Sequence, residues 1–356
     1  MSLRADLLAW YGAHRRDLPW RRTRDPYAIW VSEVMLQQTQ VAAVVPYFER
    51  FLARFPTPAA LAEADEDAVL AAWSGLGYYR RVRHLREGAR EVVARHDGVV
   101  PRDAAALRAL AGIGPYTAGA IASIAFALPE PLLDGNVRRV LARWTADPGV
   151  GGDARFWDLA RTLVVGPEPG DWNQALMELG ATVCTPQAPS CPRCPVSQHC
   201  RAHAIGRPQD FPRARPRKPS RTVRVEVALI ERDGAVLLER NQGGGPLRGK
   251  WDLPAVETDG TDALAGEALR GALRARHGID VIPGALGRPA VHTILDRRLR
   301  LAVVRCAWPQ RDVDPGPALR WMPPEALDVT PVSGATRKVL RGNPTSATSS
   351  AGGRAL

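Results

Sequence analysis

The sequence predicts a multi-domain protein: an all-α domain followed, after a short linker, by an α+β module. Three observations carry this. Residues 1 to about 205 place apolar side chains at i, i+3 and i+4, broken at Pro or Gly, which is the period of packed helices. The stretch GRPQDFPRARPRKPSR, 206–221, is rich in Pro and Arg and has no periodicity, so it reads as a basic linker. From 222 the chain runs in strand-like alternation, TVRVEVALIERDGAVLLER and LRLAVVRCAWP. At 356 residues it is long enough for two cores.

The first element, MSLRADLLAWYGAHRRDL, is an amphipathic helix start with no apolar signal core or cleavage site. No run of 18 apolar residues occurs, so we expect a cytoplasmic protein without a membrane span. SEVMLQQTQV, 32–41, follows Tyr27, Ile29 and Trp30 and sets a single carboxylate, Glu33, among apolar side chains and amides. Burial raises a carboxyl pKa, as a general acid near neutral pH requires. The competing expectation is a structural ion pair with Arg16 or Arg21.

Helical patterns continue through PAALAEADEDAVLAAW (58–73) and VRHLREGAREVVARH (82–96) to LRALAGIGPYTAGAIASIA (107–125). In the last, Gly112-Ile113-Gly114 forms a tight turn between two helices. Backbone N–H groups uncovered at such a turn bind phosphate without reading sequence; an ordinary core hairpin is the alternative. PLLDGNVRRVLARW (131–144) then puts Asp134 at a helix start, where it fits either an N-cap or a second catalytic carboxylate.

After FWDLARTLVV (156–165), Cys184, Cys191, Cys194 and Cys200 form C-x6-C-x2-C-x5-C within 17 residues that include four prolines. That density points to a metal or cluster site rather than disulfides, and four thiolates suit zinc or [4Fe-4S] equally. The α+β module has one helical segment, DALAGEALRGALRARHG (262–278), between its strands, with Cys306 as a buried apolar residue. We place it at 222–342 and expect the small, polar remainder, 343–356, to be disordered.

The net charge of +11 and pI near 10.1 favour an anionic partner. Nearly all of it is arginine, since the only lysines are Lys218, Lys250 and Lys338.

Hairpin, aspartate and cysteine loop in this order resemble the endonuclease III superfamily of helix–hairpin–helix DNA glycosylases, and most closely its adenine-excising branch. LPWR (18–21), DPYAIWVSEVMLQQTQV (25–41), GLGYYRRVRHL (75–85), GIGPYTAGAI (112–121) and DGNVRRVLAR (134–143) look like signatures of that branch. The resemblance implies an all-α helix–hairpin–helix glycosylase domain with a [4Fe-4S] cluster on Cys184, Cys191, Cys194 and Cys200, then an α+β Nudix-like domain. Glu33 would protonate N7 of a flipped adenine, and Asp134, assisted by Tyr116 and Asn136, would stabilise an oxocarbenium-like sugar. Trp20, Arg21 and Gln174 match the base pocket, Gln38 and Tyr78 the residues that wedge into the duplex, and Gly112 and Gly114 the phosphate contact. The implied substrate is double-stranded DNA holding adenine opposite 8-oxoguanine or guanine, and the expected state is a monomer.

Three features of this chain bear on that expectation. Superfamily members that cut the strand use a hairpin lysine; here that position is Tyr116, and no lysine precedes residue 218, which implies a monofunctional enzyme. The Nudix metal pattern would fall on residues 271–279, where each glutamate position is Ala or Arg, so a second hydrolase activity is not expected. In the family, Phe-Ser-His follows His-Thr in the loop that meets 8-oxoguanine. Here His292 and Thr293 are followed by Ile294-Leu295-Asp296, which implies weaker discrimination or reliance on Arg297 and Arg298. Other readings are a superfamily glycosylase with a shifted target, which Glu33 opposes because pyrimidines have no N7, and a non-catalytic DNA-binding or redox protein.

Overall fold

A computed structural model describes residues 2–213, 220–243, 249–259, 266–294, 296–308, 316–327 and 330–344. It divides into two compact units, one of residues 1–64 with 80–216, the other of 65–79 with 217–356. Segment 65–79, inside the stretch read as the helical domain, therefore groups with the C-terminal module.

The helices are α1 (Leu3–His14), α2 (Pro26–Leu36), α3 (Val41–Arg54), α4 (Pro58–Glu63), α5 (Glu66–Ala72), α6 (Arg80–His96), α7 (Ala104–Arg108), α8 (Pro115–Phe126), α9 (Gly135–Thr145), α10 (Ala154–Val164), α11 (Pro169–Thr182), α12 (Arg201–Ala204), α13 (Glu267–His277) and α14 (Gly334–Gly342). In the first unit α2 and α8 are buried nearly all round, as a helix without a polar face must be. α2 packs on α8, α8 on α11, and α11 on α9 and α1. Asp25 starts α2 by accepting from the Tyr27 and Ala28 N–H groups, with Pro26 at its first position. The run 58–73 is two helices, because Asp65 accepts from the Asp67 and Ala68 N–H groups and so starts a new one. No described helix is long and apolar enough to cross a membrane.

The second unit contains an eight-stranded sheet: β1 (Arg221–Arg232), β2 (Ala235–Arg240), β3 (Trp251–Asp252), β4 (Ala255–Thr258), β5 (Ile282–Leu286), β6 (Ala290–Ile294), β7 (Arg297–Ala307) and β8 (Leu319–Met322). β1 and β7 run parallel from Arg221 opposite Arg297 to Ile230 opposite Cys306, and the other pairings between strands are antiparallel. Alternation along β1 supplies two cores. Val223, Val225, Val227 and Leu229 join Val339 of α14, whereas Ala228 and Ile230 join Leu269 and Leu273 of α13, together with Cys306. The sequence reading missed α14, whose short GATRKVLRG carries little apolar pattern. Segment 65–79 is tied in by Asp67 to Arg240 at 3.6 Å, Ser74 Oγ to Arg337 at 2.8 Å and the Tyr79 ring under Lys250 Nζ at 3.4 Å.

Two boundaries differ from expectation. The linker is ordered as far as Arg213, whose N–H donates to Pro148 O at 2.9 Å; residues 214–219 lie outside the described residues. Asn343, counted with the polar tail, is only 3 % exposed and brackets the Arg288 backbone: its Oδ1 accepts from the Arg288 N–H and its Nδ2 donates to Arg288 O. The rest of the tail, 345–356, also lies outside the described residues.

Candidate active site

Glu33 sits on the fully packed part of α2 and is 5 % exposed. Its Oε2 accepts a 2.6 Å hydrogen bond from the hydroxyl of Tyr116, in the first turn of α8. Burial pushes the Glu33 carboxyl up to about 7; the Tyr116 bond opposes this, the charge of Asp134 adds to it and that of Arg21 subtracts. Burial, then the neighbouring Glu33 and Asp134, hold the Tyr116 phenol well above its ordinary value, so it stays a donor. Met177 Sδ accepts from the same hydroxyl at 3.3 Å.

The sequence allowed Asp134 an N-cap or a catalytic place, and the structure shows the cap. It is the N-cap of α9, accepting from the Val137 N–H at 2.7 Å, and its second oxygen accepts from Asn136 Nδ2 at 3.0 Å. Burial raises its carboxyl too, but the donors at Val137 and Asn136 oppose that by favouring the charged form. The hydrogen-bond donor to Glu33 is a neutral phenol. Of the two carboxyls Asp134 is thus the one equipped to hold a charge.

Asn136 is fixed by close packing of α9 on α11. A Cβ at Gly180 would meet Asn136 Cβ at 2.7 Å, so this crossing needs a glycine. Asn136 Oδ1 accepts from Arg139 Nη2 at 2.8 Å, and Arg139 also donates to Gly180 O at 2.7 Å and Cys184 O at 2.8 Å. One turn on, buried Arg143 donates to Cys184 O and Sγ, Thr185 O, Pro186 O and Phe211 O. α9 thereby joins Asp134 to the cysteine loop.

Neither Arg16 nor Arg21 pairs with Glu33. Both bind Glu178 on α11, a residue the sequence reading missed: Arg16 Nε donates to Oε1 and Arg21 Nη2 to Oε2, each at 2.7 Å. Burial alone would raise the Glu178 carboxyl, but these guanidinium hydrogen bonds outweigh it and hold it at about 2. The available signal was its place four residues after Gln174, on the same helix face. Gln174 is buried and donates to Asp171 Oδ1 at 3.3 Å, and buried Trp20 packs edge-on to Phe48 with centroids 5.4 Å apart.

Gln38 and Tyr78 have left-handed backbones, φ 57° and 46°, uncommon for residues with side chains. Gln38 is exposed in the turn after α2, not on a helix face, and Tyr78 is 43 % exposed rather than in the core. Arg81 secures the Gln38 turn: Nη1 donates to Val34 O, Met35 O and Gln37 O, and Nη2 to Thr39 Oγ1. In the hairpin Gly112 has φ 76°, and its Cβ would strike His84 Cβ at 2.5 Å; Gly114 is the N-cap of α8 with open space beside it.

The four cysteines of the loop form no disulfide and line one pocket with Arg143, His203 and Pro208. Among the described residues no three His, Cys, Asp or Glu side chains are grouped closely enough to hold a single metal ion. The donor set, four soft thiols around shared space, nonetheless suits a cluster that bridges them.

In the second unit the strands β6 and β7 form a hairpin with Ile294 opposite Arg297. His292 is half-buried beside Gly334, Thr293 is exposed, Asp296 is exposed, and Leu295 lies outside the described residues. Arg297 Nη2 binds Glu257 Oε1 at 2.5 Å. On α13, Arg276 and His277 both contact Glu239 Oε1, at 3.0 and 2.8 Å, and so occupy the segment where the Nudix pattern would place metal ligands.

Residues 31–152 match the model of the HhH-GPD superfamily of base excision DNA repair proteins, and 226–342 that of the NUDIX domain. The chain is 39 % identical to human adenine DNA glycosylase over 96 % of its own length and 73 % of that protein. It is 41 % identical to adenine DNA glycosylase of Mycolicibacterium smegmatis over 67 % of its length and 83 % of the relative. Among solved structures, a thermostable thymine-DNA glycosylase superposes with TM-score 0.53 at 30 % identity, over 56 % of this chain and 94 % of that one.

Proposed function

The chain belongs to the adenine DNA glycosylase family of base excision repair enzymes, and from that premise we propose that Glu33 and Asp134 hydrolyse the N-glycosidic bond of adenine mispaired with 8-oxoguanine or guanine. The observation that carries the assignment is the contrast between the two carboxyls. Glu33, held at about 7 and hydrogen-bonded by a neutral phenol, keeps a proton to give to N7 of the extruded base. Asp134, bracketed by the donors of Val137 and Asn136, keeps the negative charge that faces the developing oxocarbenium ion.

Arg21, Gln174 and Trp20 supply the wall and polar contacts of the base pocket, and Gln38 and Tyr78 enter the duplex beside the flipped nucleotide. Their left-handed backbones support this reading, because such strain collects at functional turns. Extrusion costs a few kcal/mol and least for a mispaired base. The N-terminus of α8 at Gly114, with Gly112, takes a phosphate. The scaffold is shared with a thymine-excising enzyme, but Glu33 favours a purine, since only purines offer N7.

Tyr116 stands where a Schiff-base lysine would be, so the product is an intact strand with an abasic site. Cys184, Cys191, Cys194 and Cys200 would hold a [4Fe-4S] cluster. When bound it supplies an inorganic, redox-capable brace for the loop, while Arg139 and Arg143 tie that loop to α9 from the protein side. Recognition of 8-oxoguanine is weaker than in relatives carrying Phe-Ser-His, because Ile294 and Asp296 offer neither the ring nor the cation, and Arg297 is engaged by Glu257.

Single-turnover adenine release from duplexes with A opposite 8-oxoguanine, G or T, each with and without alkali, tests this. We expect release opposite 8-oxoguanine and G, none opposite T, and strand breaks only after alkali. Release from all three, or breaks without alkali, would contradict it.

A further inference from the structure

Glu178 has 1 % of its side chain exposed, yet the chemistry above gives it nothing to do. Its oxygens collect Arg16 Nε at 2.7 Å, Arg16 Nη2 at 2.8 Å and Arg21 Nη2 at 2.7 Å. The other end of Arg21 donates to Arg16 O at 3.1 Å, and its guanidinium lies 5.5 Å from the centre of the Tyr11 ring. Arg16 is 40 % exposed and shares its charge with water, whereas Arg21 is only 10 % exposed and faces Glu178.

The groups around Glu33 come from four elements: Tyr116 from α8, Asp134 at the head of α9, Arg21 from the turn Pro19–Arg21, and the carbonyls of its own helix, which Arg81 covers. Among the described residues, Arg21 is the positive side chain whose charge opposes burial and Asp134 at the Glu33 carboxyl. A guanidinium moved onto a carboxylate lowers it by roughly 1–3 pK units, enough to strip Glu33 of its proton at neutral pH. In the structure Arg21 is spoken for.

We propose that Glu178 is a positioning residue that ties Arg21 down and balances its charge, so that Glu33 stays a proton donor beside a guanidinium. The inference rests on the reading of Glu33 as the general acid. It also accounts for a buried carboxylate that the chemistry proposed above does not use: Glu178 takes the arginine.

The test is the pH dependence of single-turnover adenine release by the full chain, at saturating enzyme, on an A opposite G duplex. Glu178→Gln should move the alkaline limb toward acid by about one pH unit, lowering the rate about tenfold above the limb while the acid-side plateau changes little. Glu178→Gln with Arg21→Met should return the limb to its original pH, because no guanidinium remains to fall on Glu33. A folded Glu178→Gln protein with an unmoved limb, or a double variant that keeps the shifted one, overturns the proposal. Should Glu178→Gln not fold, as judged by circular dichroism and melting, Arg21→Met alone decides: its limb belongs at or above the wild-type pH, and an acid-ward shift overturns the idea. Glu33→Gln separates the two levels. Undiminished release by that variant would sink the general-acid reading itself, whereas an inactive Glu33→Gln beside an unmoved Glu178→Gln limb sinks only the role of Glu178.

Discussion

At the scale of single residues, the pair of carboxyls predicts a bell-shaped pH dependence of single-turnover release. The alkaline limb follows loss of the Glu33 proton near pH 7, and the acid limb follows protonation of Asp134. Glu33→Gln should lower the rate about 100-fold or more and erase the alkaline limb. Stability gives an independent check. The folded chain holds the Glu33 proton up to about pH 7 while the unfolded chain releases it near 4.5, so between those values the folded state binds more protons and loses stability as pH rises. Denaturation of wild type and Glu33→Gln across that window should show the variant gaining on wild type as pH increases; a constant difference would mean that Glu33 ionises normally. The sequence singled out Glu33 as one carboxylate among apolar side chains and Asp134 as a carboxylate at a helix start, and it offered Tyr116 and Asn136 through the resemblance alone. It did not offer Glu178. Its partners are 162 and 157 residues away, and nothing local says which carboxylate two arginines will choose.

At the scale of elements, the setting of Asn136 beside Asp134 depends on how closely α9 meets α11. Gly180→Ala puts a methyl group 2.7 Å from Asn136 Cβ, and overpacking of this kind costs about 1–3 kcal/mol. We expect a comparable fall in unfolding free energy and a slower chemical step with little change in duplex affinity, read by chemical denaturation, single-turnover rates and binding. Normal rates with normal stability would show that the crossing has slack. The helical pattern revealed most of these elements, since α6, α8 and α10 announce themselves by apolar spacing. It failed at α14, and it joined α4 to α5, where the signal to break is one cap, Asp65, inside an unbroken run of alanines and acids. The parallel pairing of β1 with β7 was also beyond reach, because alternation shows that a strand exists and not which neighbour it takes.

At the scale of the whole molecule, an arginine-rich surface predicts binding governed by phosphate neutralisation. The logarithm of duplex affinity should fall linearly with the logarithm of salt, at about 0.9 per phosphate contacted. A flat response would argue against a duplex substrate. The grouping of 65–79 with the C-terminal unit makes a second prediction. In a fragment ending at residue 213, Asp67, Ser74 and Tyr79 lack Arg240, Arg337 and Lys250, so amide exchange over α5 should accelerate strongly while α2 and α8 stay protected. Equal protection of α5 in fragment and full chain would show that the grouping is not energetic. Composition and the change of period near residue 206 made two cores legible; that the second reclaims a segment from the first was not, because it rests on contacts far apart in sequence, such as Asp67 with Arg240.

That reclaimed segment also fixes an order of events. A ribosome delivers residues 65–79 well over a hundred residues before the strands that complete their unit, and domains generally mature as they emerge. α5 and Tyr78 must therefore wait, half-made, until β2, the Lys250 turn and finally α14 have been synthesised. Tyr78 is thus among the last parts of the nascent chain to be set, and a chain truncated anywhere before α14 would carry Glu33 and Asp134 with the 65–79 segment still unfinished.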